Sequence, residues 1–195
     1  MLKGVALADF NGNGIDDIVV GTDSKKIHLI YDDGTAAPGF PFETSDKVQS
    51  SPSIADFNGQ KVIFAGDKDG IFYAINGNGS LRFQSETGAN IAISPLLGTV
   101  GAENDLQGEF FAAFGNDDGN VYIAFLDGTL TTFFDVEGAI TGLSSIVTET
   151  TGYVAVTTDE GNMYFYKDDD IEDYFPIAYE NSFKGHSTID DIDGD

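Results

Sequence analysis

Residues 9–17, near the start of the chain, carry side chains whose types and spacing suit the binding of a metal ion. The run reads DFNGNGIDD and places oxygen acceptors at Asp9, Asn11, Asn13 and Asp17, its first, third, fifth and ninth positions. Glycines between them allow the backbone to turn tightly. A hard cation such as Ca²⁺ requires oxygen ligands on alternate residues of such a loop. The sequence therefore predicts a calcium site here.

Simpler interpretations of this loop compete with a calcium site. Asn, Asp and Gly favour turns in any context, so the run also fits a plain turn that binds nothing. An EF-hand is excluded, because the twelfth position is Val20 instead of glutamate and no helical pattern flanks the run. Mg²⁺ fits less well, because it retains several of its waters. Apolar, β-rich runs on both sides indicate that the loop joins two strands, where a metal would serve structure.

The strands that must position this loop belong to a repeat of roughly 45 residues. Similar opening segments recur along the chain at residues 5–10, 51–57, 94–99, 142–148 and 186–193. Each complete repeat holds four strand-like segments, and turns rich in Asp, Asn and Gly separate them. Four antiparallel strands in a repeat of this length indicate one blade of a β-propeller.

The predicted fold is all-β, a single β-propeller domain of four-stranded antiparallel blades. Four blades are expected at residues 4–46, 47–90, 91–137 and 138–182, with the start of a fifth at 183–195. The chain stops inside that fifth repeat, so we expect it to be part of a larger ring. A closed four-bladed ring is the alternative, but it leaves the last repeat unexplained. The 16 Phe, 8 Tyr and 24 Gly residues agree with strands joined by tight turns.

The metal motif and its flanking strands carry a family resemblance. The run ADFNGNGxDDIVVG resembles the FG-GAP (VCBS-type) repeat of integrin α-subunit propellers and of many bacterial surface proteins. In that family the loop between the first two strands of a blade binds Ca²⁺. The resemblance implies a ligand set of Asp9, Asn11, Asn13, Asp17 and the backbone carbonyl of Ile15. Residues 69–83 are also similar to the quinoprotein-type repeat, but the Trp and Cys residues of that family are absent.

The other repeats keep less of the metal motif. The second repeat retains Asp56 and Asn58, but Lys61 brings a positive charge and Phe64 stands at the ninth position. We therefore expect no tight metal site in that repeat. The tail of the chain restarts the motif as an incomplete second metal loop of Asp191, Asp193 and Asp195.

The chain is strongly acidic, with a formal net charge of −24 from 33 acidic and 9 basic residues. Such a field repels nucleic acid and anionic membranes and attracts cations. It fits either a solvated acidic surface or an acidic face that docks a cationic partner. The absence of cysteine excludes disulfides and thiolate metal sites. No apolar run approaches transmembrane length, so we expect no membrane insertion.

No set of residues forms a recognisable catalytic constellation, and we expect neither enzymatic activity nor a cofactor other than Ca²⁺. The two histidines, His28 and His186, are expected to serve packing or surface roles. The favoured function is a non-catalytic, extracellular or cell-surface propeller that binds Ca²⁺ and acts in adhesion, scaffolding or ligand binding. The alternative is the propeller portion of a secreted carbohydrate-active enzyme, such as a polysaccharide lyase, with its catalytic residues outside this chain.

Contact with a protein or carbohydrate ligand is expected at the loops of the propeller faces. The insertion at 99–109 and the acidic segment at 167–173 are the candidate contact loops. Ordinary variable loops are the alternative interpretation of both.

Overall fold

The structure, a computed structural model, describes residues 4–57, 59–100, 109–147, 152–167, 170–185 and 188–189. Within these residues the regular structure consists of β-strands, and no helix is present. The strands form four separate sheets that follow one another along the chain, named blades 1 to 4 below. The predicted all-β fold of four-stranded antiparallel blades is confirmed, and in each blade the strands pair in chain order.

The strand bounds are as follows. Blade 1 contains β1 (Ala6–Ala8), β2 (Asp17–Thr22), β3 (Lys26–Ile30) and β4 (Phe42–Glu43). Blade 2 contains β5 (Ser53–Phe57), β6 (Gln60–Gly66), β7 (Ile71–Asn76) and β8 (Leu81–Glu86). Blade 3 contains β9 (Leu96–Val100), β10 (Glu109–Gly115), β11 (Asn120–Phe125) and β12 (Leu130–Asp135). Blade 4 contains β13 (Ile140–Val147), β14 (Gly152–Thr158), β15 (Asn162–Lys167), β16 (Asp170–Ile171) and β17 (Ile177–Ala178).

The blades stack in series through their first strands. Strand β5 contacts both β1 and β9, and β9 contacts β13. In blade 4 the outer edge is divided, because β16 and β17 both pair with β15. Most of the predicted start of a fifth blade lies outside the described residues.

The hydrophobic core lies between the blades. Alternate residues of a strand face opposite sides of a sheet, so an inner blade buries both of its faces. In blade 2, Ile63 and Ala65 pack with Val19 of blade 1, whereas Val62 and Phe64 pack towards blade 3. All four blade 2 residues are at most 1% exposed. This two-sided burial explains why the second strand reads as a continuous apolar run.

A glycine in the second strand of blades 1 to 3 lets the connection to the next blade cross the sheet at close range. A Cβ atom at the glycine would overlap a branched side chain within the connection or, for Ile140, at the start of the strand that follows it, in the pairs Gly21–Val48, Gly66–Ile91 and Gly115–Ile140. The three branched side chains are buried. Close packing at the blade seam, and not an unusual backbone angle, therefore requires glycine at these positions.

The Gly66→Ala variant is expected to lose about 1–3 kcal/mol of unfolding free energy, because overpacking forces buried groups apart. The added Cβ would meet both Cγ2 and Cβ of Ile91, and the Cβ is fixed to the backbone. Urea unfolding followed by circular dichroism measures the loss. Gly185→Ala is the matched control, since no atom lies within 4 Å of its added Cβ. Equal stability of the two variants would contradict the packing argument.

Candidate metal site in blade 1

The predicted metal loop connects β1 to β2 at one end of blade 1. The antiparallel pair Ala8 and Asp17 closes the loop, and residues 9–16 lie between them. Gly12 and Gly14 have φ angles of 80° and 85°, in the left-handed region that favours glycine. These turns curl the loop so that its amide groups point inwards.

The carboxylate of Asp9 accepts hydrogen bonds from three backbone amides of the loop. Its Oδ1 lies 2.7 Å from the nitrogen of Gly12 and 3.2 Å from that of Asn13. Its Oδ2 lies 2.8 Å from the nitrogen of Gly14. The Gly14 hydrogen bond makes the largest contribution to lowering the pKa of Asp9. The carboxylate is therefore held in place and ionised, as a cation ligand must be.

The two asparagines direct their side-chain oxygens to the same part of the loop. Oδ1 of Asn11 accepts from the backbone amide of Asn13 at 3.0 Å, and Oδ1 of Asn13 accepts from that of Ile15 at 2.8 Å. The same Asn13 amide also donates to Asp9. One N–H group shared by Asp9 and Asn11 places their oxygens on the same side of the loop.

Asp17 is fully buried, with 0% of its surface exposed. Its Oδ2 accepts from the backbone amide of Phe10 at 2.8 Å. Its Oδ1 accepts from the amide of Asp32 at 3.0 Å and faces Nδ2 of Asn11 at 3.4 Å. Among the ion pairs of the described residues, none involves Asp17. Hydrogen bonds alone offset the cost of burying this charge, as they do for Asp67 of blade 2, so the donor set is compatible with a bound cation.

The other blades show that a charge at this strand position is exceptional. By strand register, the positions equivalent to Asp17 are Val62, Phe111 and Tyr153. Phe64 is ninth by count in blade 2, but Val62 takes the structural place of Asp17, because the β5–β6 turn is shorter than the β1–β2 loop. An apolar or aromatic side chain replaces the carboxylate wherever the motif has decayed.

The sequence motif missed one acidic residue of the site, Asp32. Its Oδ1 accepts from Nδ2 of Asn13 at 2.8 Å, while its backbone amide donates to Asp17. Pairing of Ile18 with Ile30 returns the end of β3 to the loop, which explains this approach. The available signal was the acidic turn after the third strand, read together with the hairpin register.

Carboxylates alone do not form the site. Within the part of the chain that the structure describes, no three His, Cys, Asp or Glu side chains converge on a metal-sized space. A metal bound at this loop would therefore need other ligands such as the amide oxygens of Asn11 and Asn13, and this ligand set stays a prediction. The side chain of Ile15 is 56% exposed, and the role of its carbonyl stays a prediction.

Several predicted positions lie elsewhere. His28 is on β3, away from the metal loop. Both predicted contact loops lie partly outside the described residues, which omit 101–108 and 168–169. His186 and the incomplete second loop of Asp191, Asp193 and Asp195 lie entirely outside the described residues.

Blade 2 neutralises its corner carboxylate with a side chain. Asp56 pairs with Lys61 across the turn, and Nζ of Lys61 lies 2.9 Å from Oδ2 of Asp56. The hydrogen bond from Lys61 is the main cause of the lowered pKa of Asp56. Blade 2 therefore pairs its corner carboxylate with a cation, whereas Asp9 of blade 1 feels the same lysine only at longer range and forms no ion pair with it.

A cavity of about 580 Å³ lies beside the metal loop at the seam of blades 1 and 2. Its walls include aromatic, cationic and amide side chains, namely Phe10, Tyr31, Lys61, Gln60, Asn76 and Asn78. Phe10 links the two features, because its backbone amide binds Asp17.

The chain as a whole resembles solved β-propeller structures. The computationally designed Ika8 protein matches with a TM-score of 0.66 and 13% identity, over 96% of this chain and 52% of that one. BBS1N, in a complex with ARL6DN soaked with mercury, matches with a TM-score of 0.67 and 11% identity, over 91% and 57%. BamB from Moraxella catarrhalis matches with a TM-score of 0.57 and 11% identity, over 85% and 45%.

These comparisons show the fold alone. The chain spans about half the length of the structures it matches. It matches no known family profile and no curated protein. Among the described residues, no helix has the length and apolar character needed to cross a membrane.

Proposed function

We propose that the chain is a non-catalytic β-propeller binding module in which the β1–β2 loop of blade 1 binds Ca²⁺. The ligands are Asp9, Asn11, Asn13 and Asp17, with the carbonyl of Ile15. One observation carries the proposal: Asp17 is fully buried without an ion-pair partner, at a strand position that is apolar or aromatic in the other three blades. Bound Ca²⁺ would supply the missing positive charge.

The ligand charge supports a weak site. Asp9 and Asp17 contribute two negative charges, and the asparagine amides contribute none. Calcium sites with fewer charged ligands bind more weakly. Extracellular modules bind with dissociation constants of about 10⁻⁴–10⁻³ M. A site of this class is filled where free Ca²⁺ is millimolar, which supports an extracellular or cell-surface location.

The proposed role of the metal is to hold one corner of the propeller rigid. Ca²⁺ would offset the repulsion between Asp9 and Asp17 and fix Phe10 at the edge of the seam cavity. Loops at this end of the ring would then present a defined surface to a protein or carbohydrate ligand. BBS1N was solved with a partner protein, which supports a binding role without identifying any ligand of this chain.

Added Ca²⁺ is expected to raise the melting temperature of the chelator-treated protein. The stabilisation should reach about 2.7 kcal/mol at one hundred times the dissociation constant, because only the folded loop binds. Differential scanning calorimetry measures the melting temperature, and isothermal titration calorimetry measures the heat of Ca²⁺ binding. Asp9→Ala and Asp17→Asn are each expected to abolish the binding heat and the shift.

The matched control is Asp127→Asn, which removes one carboxylate from the exposed turn after β11, where Asp127 binds the amide of Thr129. This variant should keep the full response to Ca²⁺. No binding heat and no melting shift at millimolar Ca²⁺ in the unsubstituted chain would refute the metal site.

A further inference from the structure

The cavity at the seam of blades 1 and 2, called the seam cavity, occupies a place that is filled at the seam of blades 2 and 3. Strand register aligns Lys61 with Phe110. It also aligns Gly77 with Leu126. Phe110 and Leu126 pack against the core between blades 2 and 3, and the ring of Phe110 meets that of Phe57 edge-to-face at 4.8 Å. The seam cavity therefore exists because a lysine and a glycine replace this apolar filling.

Phe10 is the register counterpart of Phe57, but its ring lines the open seam cavity. The ring lies against Gly77, where an added Cβ atom would come within 3.0 Å of Cδ1 of Phe10. Lys61 does not close the space, because its ammonium group is held by Asp56 at 2.9 Å. An aromatic side chain is therefore left at the wall of a cavity that solvent or a ligand can enter.

The buried carboxylate of Asp17 fixes the two segments that supply the aromatic walls of the seam cavity, Phe10 and Tyr31. Its Oδ2 accepts from the amide of Phe10 at 2.8 Å. Its Oδ1 accepts from the amide of Asp32, the residue after Tyr31, at 3.0 Å. The amide of Tyr31 donates in turn to the carbonyl of Thr35 at 2.8 Å. Walls that are already ordered lower the entropy cost of binding a ligand between them.

The walls of the seam cavity lack carboxylates, although the chain carries a formal net charge of −24. None of the nine described residues that line it is Asp or Glu. The single cationic side chain among them, Lys61, is already paired with Asp56. A cationic ligand would find no carboxylate on these walls, and an anionic ligand would be repelled by the field of the chain. The seam cavity therefore favours an uncharged ligand.

The polar side chains of the walls can both donate and accept hydrogen bonds. Among the described residues, the hydroxyl of Tyr31 and the side-chain amide of Gln60 have no hydrogen-bond partner. Asn78 uses its Oδ1 to accept from the amide and the hydroxyl of Ser80, which leaves Nδ2 available as a donor. Such groups match the hydroxyls of a sugar, because each hydroxyl also donates and accepts. Aromatic rings add flat apolar surface on which the C–H groups of a sugar ring can pack.

We propose that the seam cavity binds a neutral saccharide unit. Phe10 and Tyr31 contact the face of its ring, and the amides of the opposite wall bind its hydroxyl groups. The cavity volume of about 580 Å³ lies within the roughly 300–1,000 Å³ of small-molecule sites. This inference rests on the proposed role of the chain as a binding module and names its ligand class. Asp17 holds both aromatic segments through hydrogen bonds, so binding is expected in chelator and should only strengthen with Ca²⁺.

NMR titration of the isotope-labelled 195-residue chain, with and without Ca²⁺, tests the proposal. The probes are the neutral disaccharides maltose, cellobiose and lactose, followed by glucose, glucuronate and glucosamine. At least one neutral disaccharide is expected to bind at millimolar concentration and to shift the amide signals of the wall residues. Glucose should bind more tightly than glucuronate or glucosamine, because the walls offer no unpaired charge to either ion.

Variants of the wall residues test where the sugar binds. Lys61→Phe should weaken binding at least about tenfold, because it restores the type of side chain that fills the next seam. Gln60→Ala, at an exposed residue, should keep the fold and weaken binding several-fold. Lys26→Phe is the matched control, since it also breaks an ion pair, with Glu43 at 3.7 Å, but lies at the opposite end of blade 1. This control should bind sugar as the unsubstituted chain does.

The outcomes separate this proposal from the calcium site. A chain that binds Ca²⁺ but none of the neutral sugars at millimolar concentration would overturn the saccharide site alone. A chain that binds sugar in chelator and gives no heat with Ca²⁺ would support the saccharide site and refute only the metal site. Equal affinity of the folded Lys61→Phe and Gln60→Ala variants and the unsubstituted chain would also overturn the proposal, because the sugar would then bind elsewhere.

Discussion

The Phe114→Ala variant is expected to lose about 3–5 kcal/mol of unfolding free energy, the cost of emptying a buried aromatic site. Phe114 is 0% exposed and stacks on Phe72 with ring centroids 3.9 Å apart and an interplanar angle of 8°. The stack joins blade 2 to blade 3, so its loss leaves a cavity at the seam. Urea unfolding of the variant, at fixed Ca²⁺, measures the change.

Phe133→Ala is the matched control for this aromatic truncation. Phe133 lies on β12 of the same blade and is 36% exposed. Its removal should cost less than about 1 kcal/mol, because surface substitutions leave little unfilled space. Similar losses for the two variants would show that the seam collapses onto the vacated site, and that the stack is not a major source of stability.

Asp67→Ala is expected to lose about 3–5 kcal/mol, because three hydrogen bonds to one buried carboxylate disappear together. Asp67 is 0% exposed. It accepts from the amide of Ile71 at 2.9 Å, from the hydroxyl of Tyr73 at 2.9 Å and from the amide of Asp46 at 3.0 Å. Asp46 belongs to the connection that leaves blade 1, so this carboxylate fastens one blade to the next.

Asp67→Asn is the informative comparison, because Asn116 occupies the same turn position in blade 3. There Oδ1 of Asn116 accepts from the amides of Asn120 and Asp118. An amide at position 67 keeps one acceptor and loses the other, so an intermediate loss is expected. Burial raises the pKa of Tyr73, so its hydroxyl stays protonated as a donor. An alanine variant as stable as the asparagine variant would contradict the proposed role of the three bonds.

Local sequence patterns were sufficient to predict the blades. The continuous apolar second strands and the acidic glycine turns are patterns among residues close together in the sequence. The four observed sheets agree with these patterns. The candidate metal loop could be proposed for the same reason, since its acceptors lie within nine consecutive residues, and metal binding there stays a prediction. Asp32 was missed, because its approach depends on the register of a hairpin. Counting along the chain could not identify Val62 as the structural equivalent of Asp17, because the count ignores the shorter turn of blade 2.

Burial of whole faces could not be predicted in this way. Ile18 and Ile63 occupy equivalent positions in similar sequences, yet one is 39% exposed and the other 0%. A residue pattern records that a face is apolar, but the neighbouring sheet decides whether that face meets water. The exposed end of blade 1 is therefore visible only in the three-dimensional arrangement.

The ion pair between Lys61 and Asp56 makes the second blade a template for engineering the first. An ammonium group that belongs to the chain cannot be removed by a chelator, so a corner built on it does not depend on the free Ca²⁺ concentration. Grafting the shorter turn of blade 2 onto blade 1 would replace the loop that we propose to depend on Ca²⁺ with one held by an ion pair within the chain. Exchanging the first turn of blade 1 with that of blade 2 would therefore change the solution conditions under which the propeller stays folded.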